Sequence, residues 1–342
     1  MKASLLGVID ATTYFDSMEE LLTHRCLAAV PFAGRYRLID FILSNMVNSG
    51  IESVAIFPRF QFRSLMDHLG SGKEWDLNRK RDGLFFFPSP GLEVMEEGIG
   101  SFSHFAHHMD YFDRSQQQYA LISNCFTVFN MNFEPILNRF INENCDIMMI
   151  SHHGQSMDMY LVKKSLLVQL IQTRKITGYR CMQDVVEDQN SRLTICLYEY
   201  EGFVKKITSI ASYYQASMDV LERDNWSALF KDGQPIFTKV KDEPPTKYTK
   251  SAIVKNSIIA NGCVIEGTVE NSVIFRGVKI EKGSVIKNSI IMQKSQIGKD
   301  CHLNGVIVDK NGQIKNGVSL EARNGFPIVL PKGAKQGELM KS

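Results

Sequence analysis

Charge of one sign is nowhere in excess: 39 lysines and arginines face 37 acidic residues over 342 residues, a net of +2. That balance excludes bulk attraction to nucleic acid or to an anionic membrane. Long apolar runs are missing too. None approaches the length of a membrane span, and the opening apolar stretch is cut off at Asp10, too short for a signal peptide. Cys-x-x-Cys does not occur. The seven cysteines (Cys26, Cys125, Cys145, Cys181, Cys196, Cys263, Cys301) are scattered and odd in number. They suit buried thiols in a reducing cytosol better than a disulfide framework or a zinc site. A soluble, cytoplasmic protein is expected.

What is present is enough apolar content, 44%, to bury a full core in a chain long enough for two domains. Ser53–Phe57, Tyr119–Ile122 and Asp146–Ile150 are short, nearly continuous apolar runs that suit strands buried on both faces of a mainly parallel sheet. Helical patterns lie between and after them: Leu38–Val47, Phe102–Phe112, Lys163–Arg174 and Ser212–Leu221. This alternation predicts a Rossmann-like three-layer α/β/α sandwich over residues 1–232. Pro244-Pro245 forbids helix and marks a linker, 233–250.

Residues 251–342 carry a repeat. Ile253, Ile259 and Ile265 are six apart, as are Ile274, Ile280 and Ile286, and Ile291, Ile297 and Leu303. The phrases Asn256-Ser257-Ile258-Ile259, Asn271-Ser272-Val273-Ile274 and Asn288-Ser289-Ile290-Ile291 recur with them. A period of six fits neither a strand nor a helix. It predicts a left-handed parallel β-helix, about three hexads to a coil, with loops or bulges at the breaks 265–274 and 286–291.

Four stretches carry a resemblance. They are Ala29-Val30-Pro31-Phe32-Ala33-Gly34-Arg35-Tyr36-Arg37-Leu38-Ile39-Asp40-Phe41, Trp75–Arg79, Lys241–Tyr248 and Glu270–Gly277. They resemble the glucose-1-phosphate adenylyltransferase (ADP-glucose pyrophosphorylase) family of sugar-phosphate nucleotidyltransferases across nearly the whole chain. The resemblance implies a nucleotidyltransferase domain ahead of the β-helix. It also implies a site where a glycine-rich turn and carboxylate-held Mg²⁺ neutralise triphosphate and sugar phosphate.

Each part of that site is altered. The family's Gly-Gly-x-Gly-x-Arg-Leu turn is here Gly7-Val8-Ile9-Asp10-Ala11-Thr12-Thr13-Tyr14-Phe15, with one glycine, β-branched residues that resist positive φ, and a carboxylate where phosphate would lie. The first metal aspartate falls on Asn124 or on Phe126. The second falls on Lys206, next to Lys205, a cation that repels Mg²⁺ but could touch a phosphate directly. The insertion that carries the sugar-phosphate lobe is replaced by Ser151-His152-His153-Gly154-Gln155-Ser156. The resemblance therefore points to the non-catalytic, GlgD-type branch of the family. Its members are subunits with no catalytic residues and no Mg²⁺ of their own, joined to a catalytic glucose-1-phosphate adenylyltransferase subunit in a heterotetramer. A weakly active adenylyltransferase with a rearranged site is the alternative reading, and a β-helix acyltransferase using His302 the remote one.

Basic residues cluster at Arg25, Arg35, Arg37, Arg79, Lys80 and Arg81. In the family such residues bind a sugar-phosphate or phosphate effector near the interdomain cleft, and arginine forks suit phosphate oxygens. A solvated charged face with structural pairing, such as Arg37 with Asp40, is the alternative. His104, His107 and His108 have a metal-like helical spacing without a completing carboxylate or thiol, which leaves surface or interface histidines as the expectation. His152 and His153 are expected in solvent.

Overall fold

A computed structural model describes residues 4–89, 98–323 and 325–337. Ala3 and the end of the C-terminal tail lie outside them. The N-terminal half is built on a seven-stranded mixed sheet: β1 Leu5–Ala11, β2 Ser53–Pro58, β3 Gly83–Phe86, β4 Tyr119–Asn124, β5 Ile147–His152, β6 Gln155–Lys163 and β7 Ile195–Glu199. The strand order is β7-β5-β6-β4-β1-β2-β3. β1 runs parallel to both β2 and β4, whereas β6 is antiparallel to β4 and β5. β1 is buried at every position because its neighbours cover both edges and helices cover its faces.

Two expectations change here. β1 continues through Ala11, so Val8 and Ile9 are strand core, and the turn is confined to the residues that follow. β-branched side chains favour that outcome. The expected helix over Phe102–Phe112 is two short helices, Phe102–Ala106 and Met109–Arg114, broken at His107-His108. His104 is buried there, its Nε2 2.9 Å from the Phe87 carbonyl and its ring edge-on to Phe57. Helix α1 Leu38–Asn48 begins inside the Ala29–Phe41 stretch, and α2 spans Arg63–Leu69. The cysteine reading is corrected at one place: Cys145 and Cys196 form a disulfide, brought to a Cα separation of 6.0 Å by the pairing of β7 with β5. The other five cysteines are buried free thiols. Among the described residues no helix is long and apolar enough to cross a membrane.

The C-terminal half is the left-handed β-helix. Three parallel sheets of six, five and five short strands form its faces, the first strand being Lys247–Tyr248. Ile265, Ile280, Ile297 and Ile314 stack inside one face, Val269, Ile286 and Leu303 inside the second, and Ile274, Ile291 and Val308 inside the third. Ile265 pairs with Ile280 and Ile280 with Ile297, so coils are shorter than three full hexads. The breaks are shortened faces: Val269, fully buried, supplies the inward residue between Ile265 and Ile274.

The recurring Asn-Ser phrase is a corner device. Asn256, Asn271 and Asn288 turn the chain with φ of 40°, 47° and 46°, and Gly305 takes the same corner one coil on with φ 69°. Asparagine tolerates this region better than other residues with a Cβ, and glycine needs no tolerance. The following serines form a buried ladder. Ser289 N donates to Ser272 Oγ at 3.1 Å, and Val306 N donates to Ser289 Oγ at 3.1 Å. Ser289→Ala should therefore orphan a buried amide and lower stability by about 1–3 kcal/mol in urea unfolding. A loss of only a few tenths would show that the ladder is not supporting the corner.

The two halves share one core. Val273, Phe275, Ile290, Met292 and Ile307 project outward from the third face into the apolar cluster of the α/β domain. Arg25, 2% exposed, crosses the same boundary: its Nη2 donates to both Asp309 carboxylate oxygens at 2.9 and 2.8 Å.

Candidate functional site

Two places concentrate polar side chains: the C-terminal ends of β1 and β4, and the cleft between the domains. At the first, Asp10 pairs in register with Asn124. Its Oδ1 accepts from Thr12 N and Thr12 Oγ1 at 2.8 and 2.6 Å, and its Oδ2 accepts from Gly100 N at 2.7 Å. Asp10 is thus a buried clasp that ties the turn to Gly100, and its charge is answered by Thr12 and Gly100.

Asn124 is equally committed. Its Oδ1 accepts from Phe126 N at 3.0 Å and Thr127 N at 2.9 Å, and its Nδ2 donates to the Met157 carbonyl at 2.7 Å. Phe126 is buried and lies edge-on to Phe15, with centroids 5.2 Å apart. Whichever of the two stands at the first metal position, no anionic oxygen is offered. Lys206 Nζ lies 2.6 Å from Asp158 Oδ2 and donates to the Ser156 carbonyl at 3.1 Å, while Lys205 Nζ lies 2.6 Å from Asp219 Oδ2. The residues present do not fit Mg²⁺, which needs near-octahedral oxygen ligands. Among the described residues the one cluster of three candidate ligands is Glu143 with Cys145 and Cys196, and its sulfurs are joined to each other.

The shortened loop is a tight hairpin turn, with His153 at φ 49° and Gly154 at φ 71°. His152 is half-buried, Nδ1 2.7 Å from the Tyr200 carbonyl, and His153 is exposed. Glu199 fastens the turn by accepting from Ser151 Oγ at 2.5 Å and Gly154 N at 3.3 Å.

The second place is a cavity of about 820 Å³ between the domains, lined by nine lysines and arginines against two carboxylates, Asp67 and Glu243. Arg35 and Arg37 enter from the Pro31–Phe32/Tyr36–Arg37 hairpin. Arg37 Nη1 donates to Ser64 O and Ser64 Oγ at 2.6 and 2.9 Å, and Asp40 caps the helix behind it by accepting from Arg37 N at 2.9 Å. Lys239 and Lys241 come from the linker. Arg276, Lys294, Lys310 and Lys332 come from one corner of successive coils, a column that backbone bonds hold: Lys294 N to Arg276 O, Asn311 N to Gln293 O, Gly333 N to Lys310 O. Arg276 Nη2 reaches across to the Arg35 carbonyl at 3.0 Å.

Crowded cations in a partly dry cleft make their charge costly. Burial, then Arg35, lowers the pKa of Arg276, and burial, then Arg276, lowers that of Lys241. An anion would relieve that repulsion.

His68, also in the cleft, meets Asp40 at 2.6 Å, yet burial outweighs the carboxylate and lowers its pKa. The contact is therefore a neutral imidazole donating to a carboxylate. His104 is lowered too, by burial first. Both histidines are neutral when folded and take up protons more readily when unfolded, so their contribution is complete above about pH 6.5 and is lost as pH falls below it. The urea midpoint should drop between about pH 7 and pH 5.5, and His104→Phe should flatten that slope. An unchanged slope would mean that His104 does not carry it.

Of the basic residues singled out in the sequence, Arg35 and Arg37 meet in the cleft. Arg25 does not line it and is held by Asp309. Arg79 is paired with Glu52 and Asp76 at 2.6 and 2.5 Å, and Lys80 and Arg81 are exposed beside it on a separate surface. Lys205 and Lys206 lie at the sheet end in ion pairs. His302 is exposed on a strand of the second face. Sequence reading missed Arg63, Lys239, Lys241 and the coil-corner column. The signal is a basic residue two or three positions after four of the five third-face strands, visible only once coils are aligned.

Residues 22–158 match the family model described as nucleotidyl transferase, and residues 244–322 the one described as GlmU-like, C-terminal hexapeptide. The chain is 54% identical over 338 residues to the glycogen biosynthesis protein GlgD of Bacillus subtilis (strain 168), covering 99% of this chain and 98% of that one. It is 58% identical over 341 residues to GlgD of Geobacillus stearothermophilus, covering 99% of both. It is 30% identical over 346 residues to a glucose-1-phosphate adenylyltransferase of Bacillus cereus, covering 88% and 90%. The chain belongs to the GlgD family of glycogen biosynthesis proteins, relatives of glucose-1-phosphate adenylyltransferase.

Proposed function

We propose that this chain acts in the cytoplasm as a non-catalytic regulatory or stabilising subunit that joins a catalytic glucose-1-phosphate adenylyltransferase subunit in a hetero-oligomer and enhances ADP-glucose formation for glycogen. The observation that carries this reading is the state of the sheet end. Asp10 accepts three hydrogen bonds, Asn124 accepts two and donates one, and Lys206 is paired with Asp158. A site whose polar groups are committed to internal hydrogen bonds and ion pairs is poorly placed to hold metal and triphosphate. The interdomain cleft supplies the regulatory half of the reading: nine cations would take a phosphate or sugar-phosphate effector and tie the Arg35–Arg37 hairpin to the coils. Coupling of that kind is typically worth about 1–3 kcal/mol.

Co-expression with a catalytic glucose-1-phosphate adenylyltransferase, followed by mass measurement and kinetics with and without this chain, tests the proposal. A defined mixed complex with altered kcat or effector response is expected. Failure to co-purify, or a complex with kinetics identical to the catalytic subunit alone, would overturn it.

A further inference from the structure

Among the described residues, none forms an ion pair with the amine of Lys310. Lys310 follows Asp309 at the coil corner and lines the interdomain cleft. The adjacent carboxylate is spent: Arg25 Nη2 holds both of its oxygens, and Lys310's own backbone N–H takes Oδ1 at 2.7 Å. Among the described residues Lys310 Nζ has neither a hydrogen-bond nor an ion-pair partner. The charged groups acting on it are Arg37 from the hairpin, Arg25 from the α/β domain, Lys332 from the next coil and Asp309. Three of the four are cations. Arg25 Nη1 is also buried without a partner.

We propose that Lys310 is a carbamylation site, at which the free amine captures carbon dioxide and the surrounding cations hold the resulting carbamate. The Nζ lone pair attacks the carbon of CO₂, forming an N–C bond as one C–O π pair moves onto oxygen. Nitrogen then releases a proton to water, leaving –NH–COO⁻. The step is redox-neutral and consumes only amine and CO₂.

Two physical conditions must hold, and the site meets both. The amine must be unprotonated near neutral pH. Burial first, then Arg37 and Arg25, push the Lys310 ammonium down to about 7. Lysine desolvated beside other cations is a recognised nucleophile. The product must also be favoured over the reactants. Turning the position from cationic or neutral to anionic replaces repulsion among Arg37, Arg25 and Lys332 with attraction. A neutral electrophile suits the cleft because its adduct gains the anionic charge the site lacks. A carbamate would also compete with phosphate-bearing ligands for the same cations. The inference concerns this amine alone and stands whether or not the chain joins a catalytic partner.

The test is ¹³C NMR of the full-length protein equilibrated with ¹³C-bicarbonate, together with trapping by triethyloxonium and peptide mass mapping. A carbamate carbon resonance is expected, growing as pH rises through about 7 and absent in Lys310→Arg, which keeps a cation but offers no neutral amine. The trapped mass should map to the peptide containing Lys310 in the unaltered protein, which keeps the test informative should the variant not fold. No resonance, a resonance that persists in Lys310→Arg, or trapping only at other lysines would overturn the proposal.

Discussion

Asp309→Ala should destabilise this protein more than other single substitutions of a polar residue considered above, by about 3–5 kcal/mol. Arg25 and Asp309 are each 2% exposed and come from opposite domains. Removing the carboxylate leaves a buried guanidinium whose Nη1 already lacks a partner and whose charge has lost its ion-pair partner. The pair itself need not be strongly stabilising, because two ions were desolvated to form it. Replacing both, as Arg25→Met with Asp309→Leu, should therefore recover most of the loss. Urea unfolding of the three variants reads this directly. If Asp309→Ala cost less than about 1 kcal/mol, the pair would behave as a solvated surface bridge. The shared apolar cluster would then be the main tie between the domains.

The second large effect concerns the cleft. Arg276→Ala should weaken binding of inorganic phosphate or a hexose phosphate by roughly ten- to a hundredfold, the range of one charge-assisted hydrogen bond. Arg276 lines the cavity and reaches the Arg35 carbonyl, so its loss removes a cation and loosens the hairpin that presents Arg35 and Arg37. Arg81→Ala is the control, because Arg81 belongs to a different surface. Calorimetric titration at two salt concentrations separates the outcomes. Binding lost in Arg276→Ala, retained in Arg81→Ala and weakened by salt supports the cleft. Equal loss in both would place anion binding elsewhere.

Much of the architecture could be read from the residues. Continuous apolar runs gave β2, β4 and β5 because strands covered on both faces carry no alternation. The β-helix followed from its period, although Val269 and the shortened coils blurred the count. β1 was harder: Val8 and Ile9 were judged as members of a lost turn, whereas β-branched residues flanked by two parallel strands simply extend the strand. How the charge of Asp10 is answered is not visible in the sequence, because its third donor, Gly100 N, is ninety positions away. Arg25 looked like an anion ligand for a similar reason, its partner being 284 positions away. The cleft was half legible. Arg35 and Arg37 lie within one phrase, but Arg276, Lys294, Lys310 and Lys332 converge only through the winding of the coils. The Cys145–Cys196 bond likewise needs the pairing of β5 with β7, which no spacing reveals.

With Asp10, Asn124, Lys205 and Lys206 committed to internal contacts, the sheet end should not hold magnesium and a triphosphate. Pyrophosphate release by the purified chain alone, supplied with ATP, glucose 1-phosphate and Mg²⁺, tests it most directly. A rate indistinguishable from the blank is expected, even at high enzyme concentration. ADP-glucose made at a rate comparable to that of a catalytic glucose-1-phosphate adenylyltransferase would contradict it.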